Sequence, residues 1–138
     1  MTLEMKLPFP PSVNNYWHQR VVHPKNGKRA LAMTYISEKG REFRQQVVDA
    51  VWAYSPGKVK TIHGRVSISI VLQVPDRRTR DIDNFIKPLF DALTVAKVWA
   101  DDQQVDRMVV RRGDIVNGGL TIVEIREIKK PLVRSLFS

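Results

Sequence analysis

The sequence predicts an α+β fold in one compact domain, a mixed β-sheet packed with two main helices. Two patterns carry the prediction. Residues 3–7 (LEMKL), 65–74 (RVSISIVLQV) and the later stretches DRMVVRRGD and GLTIVEIREI alternate apolar with polar residues or are rich in β-branched side chains, as strands are. Two other stretches place apolar residues at helical spacing, at 43, 47, 48, 51 and 52, and then at 85, 89, 92 or 93, and 96. A chain of 138 residues that is 43% hydrophobic has enough apolar side chain for one ordinary core without disulfides or a structural metal. It contains no internal repeat or interdomain linker. The domain is assigned to residues 1–128, and residues 129–138 are a tail with no clear element.

In chain order, LEMKL is a strand ended by Pro8, Pro10 and Pro11. Asn26-Gly27, flanked by RVVH and RALAMTY, is a strong hairpin signal and predicts a basic β-ribbon over residues 20–35. Ser37 is the expected N-cap of a helix that ends near Ser55-Pro56-Gly57. RVSISIVLQV reads as the central strand. The second helix has Asp83 as its expected N-cap, and Pro88 requires that its first turn be distorted or that the regular helix start later. The last two strands, joined through Asn117-Gly118-Gly119, read as an antiparallel pair.

Composition narrows the function. Without cysteine there is no disulfide framework and no thiolate metal site. The opening MTLEMKLPFPP has a glutamate and three prolines where a secretory signal needs an apolar run, and no segment approaches the roughly eighteen apolar residues of a membrane span. A soluble protein of the cytoplasm, with no membrane partner, is expected. The net charge of +9 favours a polyanion, nucleic acid first, because each cation set against a phosphate releases condensed counterions.

Seven of the 14 acidic residues fall between Asp76 and Asp106, and all seven are aspartate. An acidic island in a basic chain suits a cation facing phosphate. It begins in PDRRTRDIDNF, where Arg77, Arg78 and Arg80 adjoin Asp81 and Asp83. The histidines at 18, 23 and 63 lack metal-ligand spacing, and serine-nucleophile and glycine-rich phosphate-loop patterns are absent. Carboxylates therefore carry the candidate chemistry. Asp81 and Asp83 lie where a strand gives way to a helix, and Asp101 and Asp102 follow that helix, in position to return to the same end of the sheet. An all-oxygen site suits Mg²⁺ or Mn²⁺ rather than zinc or copper. Each residue also has a plainer reading: Asp83 as a cap, Asp81 paired with Arg77 or Arg78, Asp101-Asp102 as a turn, Lys87 in an ion pair with Asp83. Spacing alone does not choose.

The segment PDRRTRDIDNFIKPLFDALTVAKVWADDQQV closely resembles the signature region of the RusA family of Holliday junction resolvases, and LPFPPSVNNYW resembles that family's proline-rich opening. The resemblance implies a RusA-like fold and a bacterial or phage-encoded homodimeric endonuclease that cuts two opposing strands of a DNA four-way junction with Mg²⁺, or Mn²⁺ as a substitute. Carried over by position, it implies Asp81, Asp83 and Asp102 as catalytic, metal-holding carboxylates, Lys87 as a functional lysine and Asp101 as a supporting residue. Arg77, Arg78 and Arg80 are then expected to steer phosphates, with Lys25, Lys28 and Arg29 of the ribbon as further DNA contacts. The competing readings are a basic DNA-binding protein without enzymatic activity, and a metal-dependent nuclease for another branched DNA or for RNA.

Overall fold

A computed structural model describes residues 2–54 and 60–129. Its elements in order are β1 (Thr2–Leu7), α1 (Val13–Tyr16), β2 (Trp17–Val22), β3 (Leu31–Ile36), α2 (Glu38–Tyr54), β4 (Val66–Gln73), α3 (Ile86–Val95), β5 (Val105–Arg112) and β6 (Leu120–Glu127). Short 3₁₀ turns, Ile82–Phe85 and Asp102–Gln104, flank α3. The main sheet runs β1-β6-β4-β5, with β6 antiparallel to both neighbours and β5 parallel to β4. The α+β class and mixed sheet are as the sequence predicts.

Alternation decides which strand is interior. In β4 the side chains of Val66, Ile68, Ile70 and Leu72 are buried on one face, in register with Ile125 and Val123 of β6, which continue to Leu3 and Met5 of β1. Onto this face pack Phe43, Val47 and Val51 of α2 and Ile86, Leu89, Ala92 and Leu93 of α3. Each of the larger of these side chains stabilises the fold by about 1.5–3 kcal/mol through burial. The last two strands are not the antiparallel pair expected from the sequence, because β4 lies between them. β5 has three arginines in its last six residues, which suits the solvated edge it occupies. The loop through Asn117–Gly119 therefore crosses the end of β4, where the Gly113 and Val116 amides donate to the carbonyls of Leu72 and Val74.

The helices begin for visible reasons. The Ser37 hydroxyl accepts from the Gly40 amide at 3.0 Å, as an N-cap should. A Cβ at Gly40 would lie 2.7 Å from the Tyr16 carbonyl oxygen, so glycine is what lets α1 approach α2. The end expected at Ser55–Gly57 lies outside the described residues. Asp83 is not the N-cap of the next helix. Regular α3 starts later, with Phe85 at the cap position, so that Pro88 becomes the third helical residue, where its missing N–H has no intrahelical partner to lose.

A polar cluster joins the three helices. The fully buried Tyr16 donates its hydroxyl to the Asp91 carboxylate, while Arg44 Nε donates to the Tyr16 oxygen at 2.7 Å and Arg44 Nη2 to Asp91 at 2.7 Å. Burial first, and then the bond to Asp91, push the Tyr16 phenol well above its ordinary pKa. β2 and β3 form a separate antiparallel ribbon. It covers the predicted region, but its ladder ends at Val22–Leu31, so Asn26-Gly27 sits within the longer loop 23–30 rather than in a two-residue turn. Apart from Lys129, the C-terminal tail lies outside the described residues.

The C-terminus of α3 closes with a Schellman motif. The Val98 amide donates to the Leu93 carbonyl and the Lys97 amide to that of Thr94, leaving Lys97 at φ 66°, a left-handed conformation that favours glycine. Lys97→Gly is expected to raise stability by about 0.5–1 kcal/mol, read as a higher denaturation midpoint with an unchanged slope in urea.

Candidate active site

The chain between β4 and β5 carries all seven clustered aspartates but Asp106, which lies in β5 itself. β4 stops at Gln73, and Pro75 prevents its continuation. Asp76 then folds the following loop onto itself, accepting from the Arg78 amide at 2.9 Å and from Arg80 Nη1 at 2.7 Å, with Arg78 Nε at 3.5 Å. The hydrogen bond from Arg80, and then that from the Arg78 amide, hold the Asp76 carboxyl at about 2, well below the usual aspartate range. Arg112 of β5 braces the loop by donating to the Arg80 carbonyl at 2.6 Å. Arg80 is thereby tied to the protein, whereas Arg77 and Arg78 remain exposed.

Asp81 and Asp83 belong to the 3₁₀ turn that follows. Asp81 occupies its N-cap position, yet neither side chain makes a capping hydrogen bond, and both are exposed. Asp81 lines an open cleft of about 470 Å³ together with Ser12, Asn15, Arg78, Arg80 and Asn84. Asn15 and Asn84 were not among the residues expected from sequence. Asn84 follows Asp83 directly, but Asn15 arrives from α1, more than sixty residues away, and no local pattern announces it.

After α3 the chain is pinned by Trp99, fully buried, whose indole donates to Thr94 Oγ1 at 2.7 Å, while Thr94 donates to the Phe90 carbonyl. Gln104, also buried, accepts from the amides of Ala100 and Asp101 and donates to the carbonyls of Ile62 and Gly64. This divides the aspartate pair. Asp101 completes a capping box with Gln104, accepting from the Gln103 amide at 2.9 Å. Asp102 is left facing Lys87, whose Nζ lies 3.7 Å from its carboxylate. Lys87 thus reaches across to Asp102, and the ion pair with Asp83 four residues earlier is not formed.

One expectation is corrected. Val105 pairs with Val66, so Asp102 enters the sheet where β4 begins, not at the end where β4 stops. The segment leading into α3 is laid against edge strand β5 and held by Arg112, and Lys87 at the start of α3 reaches Asp102. Among the described residues no three carboxylate or imidazole groups converge on a common point. The donor set nonetheless fits a hard cation. Exposed carboxylate oxygens suit Mg²⁺, which keeps much of its water and takes one or two carboxylates plus substrate phosphate oxygens rather than a closed protein cage.

The structure sorts the seven aspartates. Asp76 holds its loop, Asp91 the helices, Asp101 caps, and Asp106 pairs with Arg65 at 2.5 Å. Among the described residues, Asp81, Asp83 and Asp102 take no hydrogen bond through their carboxylates, and only Asp102 has an ion pair. Of the expected DNA contacts, Lys25, Lys28 and Arg29 lie exposed in the loop between β2 and β3.

Comparison with known proteins supplies the family. Residues 8–126 match the family model for endodeoxyribonuclease RusA. The chain belongs to the RusA family. It is 35% identical over 123 residues to the crossover junction endodeoxyribonuclease of Enterobacteria phage HK97, covering 89% of this chain and 92% of that protein. It is 36% identical over 128 residues to the protein of the same name from Shigella sonnei, covering 90% and 96%. The match spans the proline-rich opening, the loop of arginines, α3 and the aspartate pair.

The Asp76 contact gives a pH test. Because its carboxyl is depressed in the folded state, its contribution to stability is complete above the ordinary aspartate pKa of about 4 and is lost as pH falls toward 2. The Asp76 carboxyl carbon should titrate by NMR with a midpoint about 2, and the Arg78 amide shift should follow it. A midpoint near 4 would show that the contact is not formed in solution.

Proposed function

We propose that this protein is a Holliday junction resolvase, an endodeoxyribonuclease that cuts four-way DNA junctions by paired hydrolysis of phosphodiester bonds. The observation that carries the reading is the sorting of the aspartates: four hold the fold together, and the three left over are the ones that the family resemblance implies for catalysis. All three lie on the one crossover between β4 and β5 of a basic chain, so DNA drawn in by the positive field meets exposed carboxylates there.

In this reading Asp81, Asp83 and Asp102 would hold Mg²⁺, or Mn²⁺ in its place, and the ion would supply neutralisation of phosphate charge and a lowered pKa for a coordinated water. Lys87 is the group nearest Asp102 and gives up that contact to bind a phosphate oxygen; an exposed ion pair of this length has little energy to lose. Asp101 acts indirectly by fixing the turn that presents Asp102. Arg77 and Arg78 meet phosphates, while Arg80, bound to Asp76, shapes the loop they stand on. Among the described residues no helix is long and apolar enough to cross a membrane. The place of action is the cytoplasm, where bacterial and phage DNA recombine.

Asp81→Asn, Asp83→Asn and Asp102→Asn are each expected to lower cleavage of a labelled junction roughly 100-fold or more while binding persists, since the amide keeps the shape but loses the charge. Asp101→Asn should cost little, because asparagine caps nearly as well as aspartate. Near wild-type cutting by one of the first three would remove that residue from the site. Junction left intact by the wild-type protein with Mg²⁺ would favour a binding protein, and equal cutting of flaps or RNA a broader nuclease.

The paired cuts call for two sites. A junction yields two duplexes only when strands related by its two-fold axis are both cut, and one group of three carboxylates is one site, so the working form is a homodimer with two-fold symmetry. Sedimentation is expected to give about twice the mass of one chain. Heterodimers of wild-type and Asp83→Asn subunits should nick one strand and leave the opposing one intact. Paired cutting by a strict monomer would overturn this.

A further inference from the structure

We propose that the ribbon of β2 and β3 is a nucleotide-binding arm, whose groove beside His18 and Tyr35 receives a base drawn out of the helix at the branch point. The inference rests on the four-way junction as substrate and adds a contact that no part of the carboxylate site supplies.

Directly opposed residues of an antiparallel pair share a face, so His18 with Tyr35, Arg20 with Met33, and Val22 with Leu31 lie together. That face is left open to water: Leu31 is 59% exposed, Met33 48% and Tyr35 44%, and the ribbon makes its main contacts only with itself and with α1. At its base an open groove of about 550 Å³ is lined by Asn14, Trp17, His18, Gln19, Thr34 and Tyr35. The rings there are arranged. His18 meets Tyr35 edge-on at 5.8 Å between centroids, and the Arg20 guanidinium lies 5.9 Å from the Tyr35 centroid.

Charge selects the occupant. Between Glu4 and Glu38 there is no acidic residue, while Arg20, Lys25, Lys28 and Arg29 lie on the ribbon or in its loop. A second copy seated here across a two-fold axis would set these cations against their own copies, which disfavours a protein interface on this face. Nucleic acid has both complements, phosphate for the cations and the π-face of a base for the rings. Amide and hydroxyl groups in the groove offer donors and acceptors to a base edge. At a branch point helical stacking is interrupted, so drawing a base out costs less there than within an arm.

The test uses the full-length protein in EDTA, so that binding is read without cleavage, with a four-way junction carrying 2-aminopurine either at the branch point or well inside an arm. Wild-type protein is expected to change the fluorescence of the branch-point probe and leave the arm probe unchanged. Tyr35→Leu should abolish that change and weaken binding roughly tenfold with the salt dependence retained, whereas Tyr35→Phe keeps both. Lys28→Ala, by contrast, should lower the salt slope. The proposal is overturned if Tyr35→Leu binds and perturbs the probe as wild type does, or if its effect is conversion of a dimer to monomers in sedimentation. Wild-type protein that shows the Tyr35-dependent signal yet cuts no junction with Mg²⁺ supports the arm and removes the nuclease reading; cutting without the signal does the reverse.

Discussion

Because β5 lies parallel to β4, the chain between them has to travel back along the sheet before it can pair again, and that passage is residues 74–104. Every candidate catalytic residue lies on this crossover. A hairpin between the two strands would have left no room for it. The parallel pairing is stable because β4 is interior, with β6 on its other side and an apolar face under α2 and α3 throughout its length.

The crossover is held at several points, each by a polar side chain whose partners are local or buried. Asp76 gathers Arg78 and Arg80 at the start, Asp91 binds Arg44 and Tyr16 in the middle, and Thr94, Trp99 and Gln104 fasten the return. These contacts explain why basic and acidic residues alternate so densely there. Some of the charge is structural, and it frees the rest. With α3 seated against α2 and the return seated against α3, Lys87 and Asp102 face each other although Lys87 lies in the first turn of α3 and Asp102 beyond its end.

The cleft beside Asp81 is open, and among the described residues no three carboxylate or imidazole groups converge on one point. Such an arrangement relies on its substrate to complete it. Like charges held at a distance repel less than in a closed cage, and phosphate oxygens can supply the remaining donors for a hard cation. The ribbon is likewise a two-stranded piece with little covering of its own.

By itself the sequence determined the class of fold, the positions of most elements and the residues worth testing, because those properties are carried by short-range pattern. Alternation in RVSISIVLQV marks a strand whichever neighbour it takes, Ser37 caps by reaching three residues ahead, and Pro88 displaces a helix start through its own ring. The D-x-D and W-x-DD spacings were legible for the same reason, through their likeness to a family. Tertiary structure alone decided that β4 separates the last two strands, that Asp101 is spent on a capping box with Gln104, and that Lys87 meets Asp102 instead of Asp83. Strand order follows from which apolar faces bury most together, and the fate of a charge follows from which distant group arrives beside it. Both are sums over the whole packed chain, and no window of the sequence contains them.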